Sequence, residues 1–223
     1  MGKSYKLNFP ESEIVSLYLE EIYWLSSSIK SKTEMIFEKT KVPEKGYVIQ
    51  VDIEIHSLIK AVIDESAQLK RMLEPRKTLN GETEDQREFR EQRGQSLSNL
   101  FRSIDISEIM KDDVRNAMEH FDERLDKLSF SVRKNRRKKP QRIAYNMVFS
   151  DKKVMSPFPN PVRIYISNER KLYIFGLTLD LGKIHEESSK MLEILKKEPR
   201  RKDIKEPGGL LLPINKLDNK KQF

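Results

Sequence analysis

No cysteine occurs in the 223 residues, which excludes disulfides, thiol catalysis and thiolate metal sites and suits an intracellular location. Histidine is nearly as scarce: three scattered rings and no thiols make a zinc site improbable, so no metal and no cofactor are expected. The eight glycines form no phosphate-cradling loop, and neither a serine nucleophile elbow nor a carboxylate cluster at metal spacing is present. No run of about eighteen apolar residues occurs, and residues 1–10 have no apolar core of signal-peptide length. A cytoplasmic protein without a membrane partner is the expectation.

Apolar residues are also few, at 37% against 35% charged, yet they are concentrated in periodic segments, which argues for a folded helical domain rather than a disordered chain. The net charge of +8 is local. Residues 133–142 hold seven cations and no anion (Arg133, Lys134, Arg136, Arg137, Lys138, Lys139 and Arg142), and residues 196–205 hold six cations and two anions. The remainder is slightly negative. Concentrated positive charge attracts a polyanion such as RNA or DNA by releasing its condensed counterions. The same run could instead be a solvated loop, and Arg136 to Lys139 could serve as a nuclear localisation signal.

Four long segments repeat apolar residues at helical period. Ile14, Tyr18, Ile22, Leu25, Ile29 and Ile36 follow a Ser12 cap, and Ile55, Leu58, Ile59, Val62, Leu69 and Leu73 lie between Asp52 and Glu74, where Pro75 ends the helix. A polar loop over 76–86 contains Asn80-Gly81, and a shorter charge-rich helix is predicted over 87–102. The third long helix is predicted over 105–132, with Ile106, Met110, Val114, Ala117, Phe121, Leu125, Leu128 and Val132 as its stripe. The fourth starts near Asp180 and ends before Pro199.

Between the last two the period falls from 3.6 to 2. A strand is predicted over 143–149, then a hairpin of 162–166 and 171–175 around Ser167 to Arg170. The expected architecture is therefore mainly α, a four-helix bundle with a small antiparallel β-hairpin insertion (about 143–175) before the last helix. One domain would cover 1–198, followed by a basic C-terminal tail, 199–223, whose apolar Leu210 to Leu212 and Ile214 could dock on the body or on another subunit. Tyr165, Tyr173 and Phe175 could form a stacking platform on the hairpin, or simply pack it onto the bundle.

Residues 115–120, Arg-Asn-Ala-Met-Glu-His, point most directly at chemistry. With Phe121 as the centre of the core stripe, ideal phasing puts Arg115 roughly 120° to one side and His120 roughly 100° to the other. Asn116 and Glu119 lie between them, opposite the core. Burial of the histidine is thus not expected, whereas an ordinary Arg115–Glu119 surface pair or an idle exposed His120 would be consistent with the pattern. His56 and His185 read as boundary residues of their helices.

Arg115, Asn116 and His120 on the third helix of a bundle resemble the motif of the HEPN superfamily (higher eukaryotes and prokaryotes nucleotide-binding), Arg-x4-6-His with a polar residue preferred after the Arg. The run from Val114 to Arg124 is also similar to a variant found in small bacterial proteins. As a pattern the resemblance covers 12–132 and 178–197. It implies a HEPN-like bundle and a metal-independent endoribonuclease, such as a toxin or defence effector, or a degenerate relative that only binds RNA. It further implies His120 as general acid or base, Arg115 as the stabiliser of phosphate charge and Asn116 as an orienting group. The partners implied are RNA, a second copy bringing two Arg/His sets into one cleft, and a protein antitoxin or other inhibitor. Asp122 stands where many antitoxin-paired members carry Tyr, and Glu119 and Glu123 add negative charge that Arg124 and the basic run could offset. Two other functions fit the residues: a non-catalytic RNA/DNA-binding or protein-interaction module using 133–142, and a structural module whose outer helix face is only a dimer contact.

Overall fold

A computed structural model describes residues 13–76, 79–135 and 142–200. It is mainly helical. Helix α1 (Glu13–Lys39) lies against both α2 (Ile53–Leu73) and α6 (Leu181–Lys197), and these three carry most of the core. Val15, Leu19, Ile22, Leu25, Ile29 and Ile36 of α1 are buried against Ile55, Ile59, Val62, Leu69, Leu73, Ile184, Met191 and Leu195. Each fully buried aliphatic side chain contributes about 2 kcal/mol by leaving water.

The ends of these helices follow from local chemistry. The Asp52 side chain accepts from the Ile55 amide to start α2, and the Asp180 side chain accepts from the Lys183 amide to start α6. Helix α3 (Glu84–Leu100) opens with a reciprocal capping box between Thr83 and Gln86, three residues before the predicted start. It crosses the end of α2 closely at Gly94, where any Cβ would overlap the Pro75 ring and approach Leu73 O to 3.2 Å.

The predicted long helix over 105–132 is not formed as such. Residues 103–112 run as turns, followed by α4 (Asp113–Glu119) and α5 (Phe121–Asn135). His120 separates them at φ −105°, ψ 42°. The helix is kinked rather than unwound, because the His120 amide still bonds Asn116 O at 3.0 Å and the Arg124 amide bonds His120 O at 3.1 Å. Helix α4 packs on α2 and on the sheet, with Val114 and Ala117 buried. Ile106 and Met110 pack against the core, but the predicted stripe beyond Phe121 does not reach it: from Asp122 to Lys134 only Leu128 and Val132 are half-buried, and every other residue is exposed.

The β element is larger than the predicted hairpin, and it is mixed rather than antiparallel. Strands β1 (Ile49–Val51), β3 (Met147–Phe149), β5 (Ile164–Ile166), β6 (Lys171–Ile174) and β7 (Leu177–Asp180) form one sheet in the order β1-β3-β5-β6-β7. The β3–β5 pair is parallel and the others antiparallel. Two short strands, β2 (Ile143–Ala144) and β4 (Asn160–Pro161), pair in parallel beside it. The predicted 143–149 strand is interrupted at Asn146, which takes a left-handed φ of 51°. Strand β7 extends the sheet through a two-residue turn, Phe175-Gly176, with φ of 48° and 82°, the positive pair that a type I′ hairpin needs. One sheet face, with Val148, Tyr165, Leu172 and Ile174, joins the helical core. The other, with Phe149, Ile164 and Ile166, is covered by Val154, Met155 and Phe158.

Two buried glutamates fasten the turns at 103–112 to α6. The Glu187 carboxylate accepts from the amides of Glu108 (3.0 and 3.1 Å) and Ile109 (2.9 Å), while Glu108 accepts from the Asp180 amide at 2.8 Å. Burial raises the Glu187 pKa, against the opposing pull of those amides. Lys70 of α2 adds a bond to Met110 O at 2.8 Å and a salt bridge to Asp112. Removing the Glu187 acceptor strands two buried amides, so Glu187→Ala should destabilise the protein by about 3 kcal/mol and Glu187→Gln by clearly less. Urea unfolding of the two variants tests the order, and equal losses would overturn it.

Candidate functional site

The residues singled out by sequence gather around the kink between α4 and α5. Arg115 and Asn116 come from α4, and His120 is the residue between the helices. The Arg115 guanidinium pairs with Glu119 at 2.5 Å, as an i,i+4 neighbour on the same short helix. His120 Nδ1 lies 3.2 Å from the Glu123 carboxylate, and both groups are exposed. A carboxylate on Nδ1 favours the tautomer with its proton there, leaving Nε2 as the atom that can exchange a proton with a ligand. Arg115 and His120 thus each have an acidic neighbour, and no hydrogen bond links them within the described residues. Asn116 is exposed beside them. The 100° phasing that set Arg115 and His120 on opposite flanks does not carry across the kink at His120.

Of the basic run, Arg133 and Lys134 are exposed in the last turn of α5, and Arg142 is exposed just before β2. Arg136, Arg137, Lys138 and Lys139 lie outside the described residues. The proposed aromatic platform is not exposed as one. Tyr165 is wholly buried, with burial pushing its hydroxyl up to about 12. Tyr173 and Phe175 are half-buried, the first donating to Glu169 and the second lying 5.3 Å from the Phe121 ring.

A different aromatic group is exposed instead. The Arg163 guanidinium lies over the Phe121 ring (4.6 Å) and the Tyr145 ring (5.3 Å), donating to the Tyr145 hydroxyl at 3.2 Å. Tyr145 is 54% exposed. Sequence reasoning noted Tyr145 only as a strand residue and passed over Arg163. The signal that could have found them is a Tyr and an Arg standing shortly before two neighbouring strands, β3 and β5. A shallow cleft of about 560 Å³ opens elsewhere, beside the loop that covers the second sheet face, lined by Lys152, Phe158 and Glu169 among others and by none of the predicted site residues.

The other two histidines take structural positions. His185 Nδ1 meets Thr33 Oγ1 at 2.9 Å, its ring is edge-on to Phe37, and burial lowers its pKa. His56 is not a boundary residue. It is 7% exposed, both ring nitrogens are enclosed without a hydrogen bond of normal geometry, and burial first, then the Arg163 charge, lowers its pKa to about 4. Among the described residues, no group of three or more His, Cys, Asp or Glu side chains is placed to hold a metal ion. No helix there is long and apolar enough to cross a membrane.

Compared with models of known protein families, with curated proteins and with solved structures, the chain finds no match.

His56 gives the fold an acid-sensitive point. An unfolded histidine takes up a proton below about pH 6.5, whereas the folded ring does so only near 4. Its contribution is therefore intact above about pH 6.5 and lost as pH falls towards 4, a decline of about 3 kcal/mol at roughly 1.4 kcal/mol per unit. Urea titrations at about pH 7.5 and about pH 4.5 should show that His56→Leu removes this part of the acid loss. An unchanged pH dependence in that variant would count against the assignment.

Proposed function

We propose that the protein is a metal-independent endoribonuclease of HEPN type, acting through Arg115, Asn116 and His120 in a homodimer. The observation that carries this reading is the Arg-Asn-x-x-x-His set at the α4–α5 kink, with Asn116 and His120 exposed, Arg115 half-buried and Glu123 on Nδ1 of His120. RNA supplies its own nucleophile. The 2′-oxygen attacks the adjacent phosphorus while its proton passes to a base, and the 5′-oxygen leaves with a proton from an acid. A neutral His120 ring serves the first transfer and a protonated one the second. Arg115 stabilises the charge that builds on the phosphorane oxygens once the phosphate displaces Glu119 from it.

Two copies supply one ring for each task, and the uncovered face of α5 supports such a pairing. Past Phe121, whose ring meets Arg163 and Phe175, its stripe of Leu125, Leu128 and Val132 follows steps of three and four and is at most half-buried among the described residues. The two His120 rings meet only where the paired helices run parallel or cross near Phe121, because antiparallel overlap of the whole of α5 parts them by about 20 Å. A protein antitoxin or other inhibitor covering this face, and a cytoplasmic location, belong to the same proposal.

The second reading, a module that binds RNA or DNA without cleaving it, is favoured by the carboxylates of Glu119 and Glu123 that already occupy Arg115 and His120. His120→Ala separates the two. Under the ribonuclease reading it abolishes cleavage of a labelled RNA, about a thousandfold or more, with unchanged melting, and EDTA has no effect on the parent. Cleavage retained by the variant overturns that reading, and affinity without any cleavage by the parent leaves the binding module. Light scattering tests the pairing: Leu125→Glu with Leu128→Glu should convert a dimer to a monomer, and a monomeric parent would refute it.

A further inference from the structure

Arg163 has an unusual setting for a cation in a chain with 35 acidic residues. Its guanidinium is held over Phe121 at 4.6 Å and Tyr145 at 5.3 Å, and no carboxylate pairs with it among the described residues. Phe121 directly follows His120, so this group adjoins the kink through its own packing. Tyr145, just before the left-handed residue Asn146, meets Arg163 through its hydroxyl and one ring face, and keeps more than half of its surface in water. Arg142 stands exposed three residues before it. An exposed ring beside a half-buried, pre-oriented guanidinium that no carboxylate neutralises among the described residues matches the two needs of a single nucleic-acid strand, a surface for an unpaired base and a cation for its phosphate.

We infer that Tyr145 and Arg163 form a binding platform for single-stranded RNA, with a base stacked on Tyr145 and the neighbouring phosphate on Arg163. The inference rests on the nucleic-acid reading above but not on cleavage. Phe121 positions Arg163 from below, and neither ring nitrogen of His56 makes a hydrogen bond that would compete for it. Base pairing removes the free base face, so a duplex gains only the phosphate contact.

The test is fluorescence anisotropy of a labelled, mixed-sequence single-stranded RNA, with the full chain carrying His120→Ala so that the probe stays intact. Tyr145→Ala should raise Kd about tenfold while leaving its salt dependence unchanged. Tyr145→Phe, which keeps the ring, should bind within about twofold of the parent. Arg163→Gln should raise Kd and lower the slope of log affinity against log salt by about one. The annealed duplex should be insensitive to Tyr145→Ala. Strand binding by the parent that Tyr145→Ala leaves unaltered overturns the platform alone. Absence of strand binding by the parent overturns both the platform and the nucleic-acid reading, and loss of binding in Tyr145→Phe shows that the hydroxyl, not stacking, is responsible and overturns the platform as stated.

Discussion

Two buried carboxylates exchange backbone amides across the middle of the fold, and the position of the motif depends on them. Glu187, on the inner face of α6, captures the amides of Glu108 and Ile109, and Glu108 captures the amide of Asp180 at the start of the same helix. A carboxylate taken out of water is costly unless its oxygens find donors. Here the donors belong to a segment of turns that would otherwise leave its own amides unsatisfied. The result is a fixed, non-helical approach to α4, secured on its other side by Lys70. Val114 and Ala117 are thereby seated on α2 and β7, and Arg115 and Asn116 are turned outward.

The kink at His120 follows from the same constraint. Helix α4 is held against the body, while α5 is free to continue in a new direction with its backbone bonds intact. Phe121 is the hinge point between them. It meets Phe175 on the sheet side and the Arg163 guanidinium above, so the helical and β parts of the molecule join at the residue next to the histidine. The β element is not an appendage inserted before the last helix. Strand β1, from the connection between α1 and α2, pairs with β3 and ties the sheet into the helical core.

Features set by neighbours in the chain were legible in advance. The bounds of α2 follow from the Asp52 cap and from Pro75, those of α6 from Asp180 and Pro199, and the β5–β6 hairpin from alternation around Ser167 to Arg170. Strand β1 was not legible, because three residues carry too little periodicity and its pairing partner lies about a hundred residues away. The predicted 105–132 helix failed for a related reason. Its apolar spacing runs unbroken through the turns and the kink, and nothing local distinguishes residues packed on the body, such as Val114, from residues left in water, such as Leu125 at 37% exposure.

The candidate site divides along the same line. Residue type and spacing alone bring Arg115, Asn116 and His120 within one turn or so of each other on an outer surface, and place a dense basic run shortly after them. Their state is a matter of three-dimensional packing. Glu119 and Glu123 occupy the arginine and the histidine, Tyr165 disappears into the core while Tyr145 is left exposed beside Arg163, and His56 is enclosed and kept neutral. Helical period and capping act over a few residues and are written in local order. Burial, and the desolvation and ion pairing that accompany it, depend on which distant segments meet, and here that is governed by the Glu108–Glu187 exchange and by the pairing of β1 with β3.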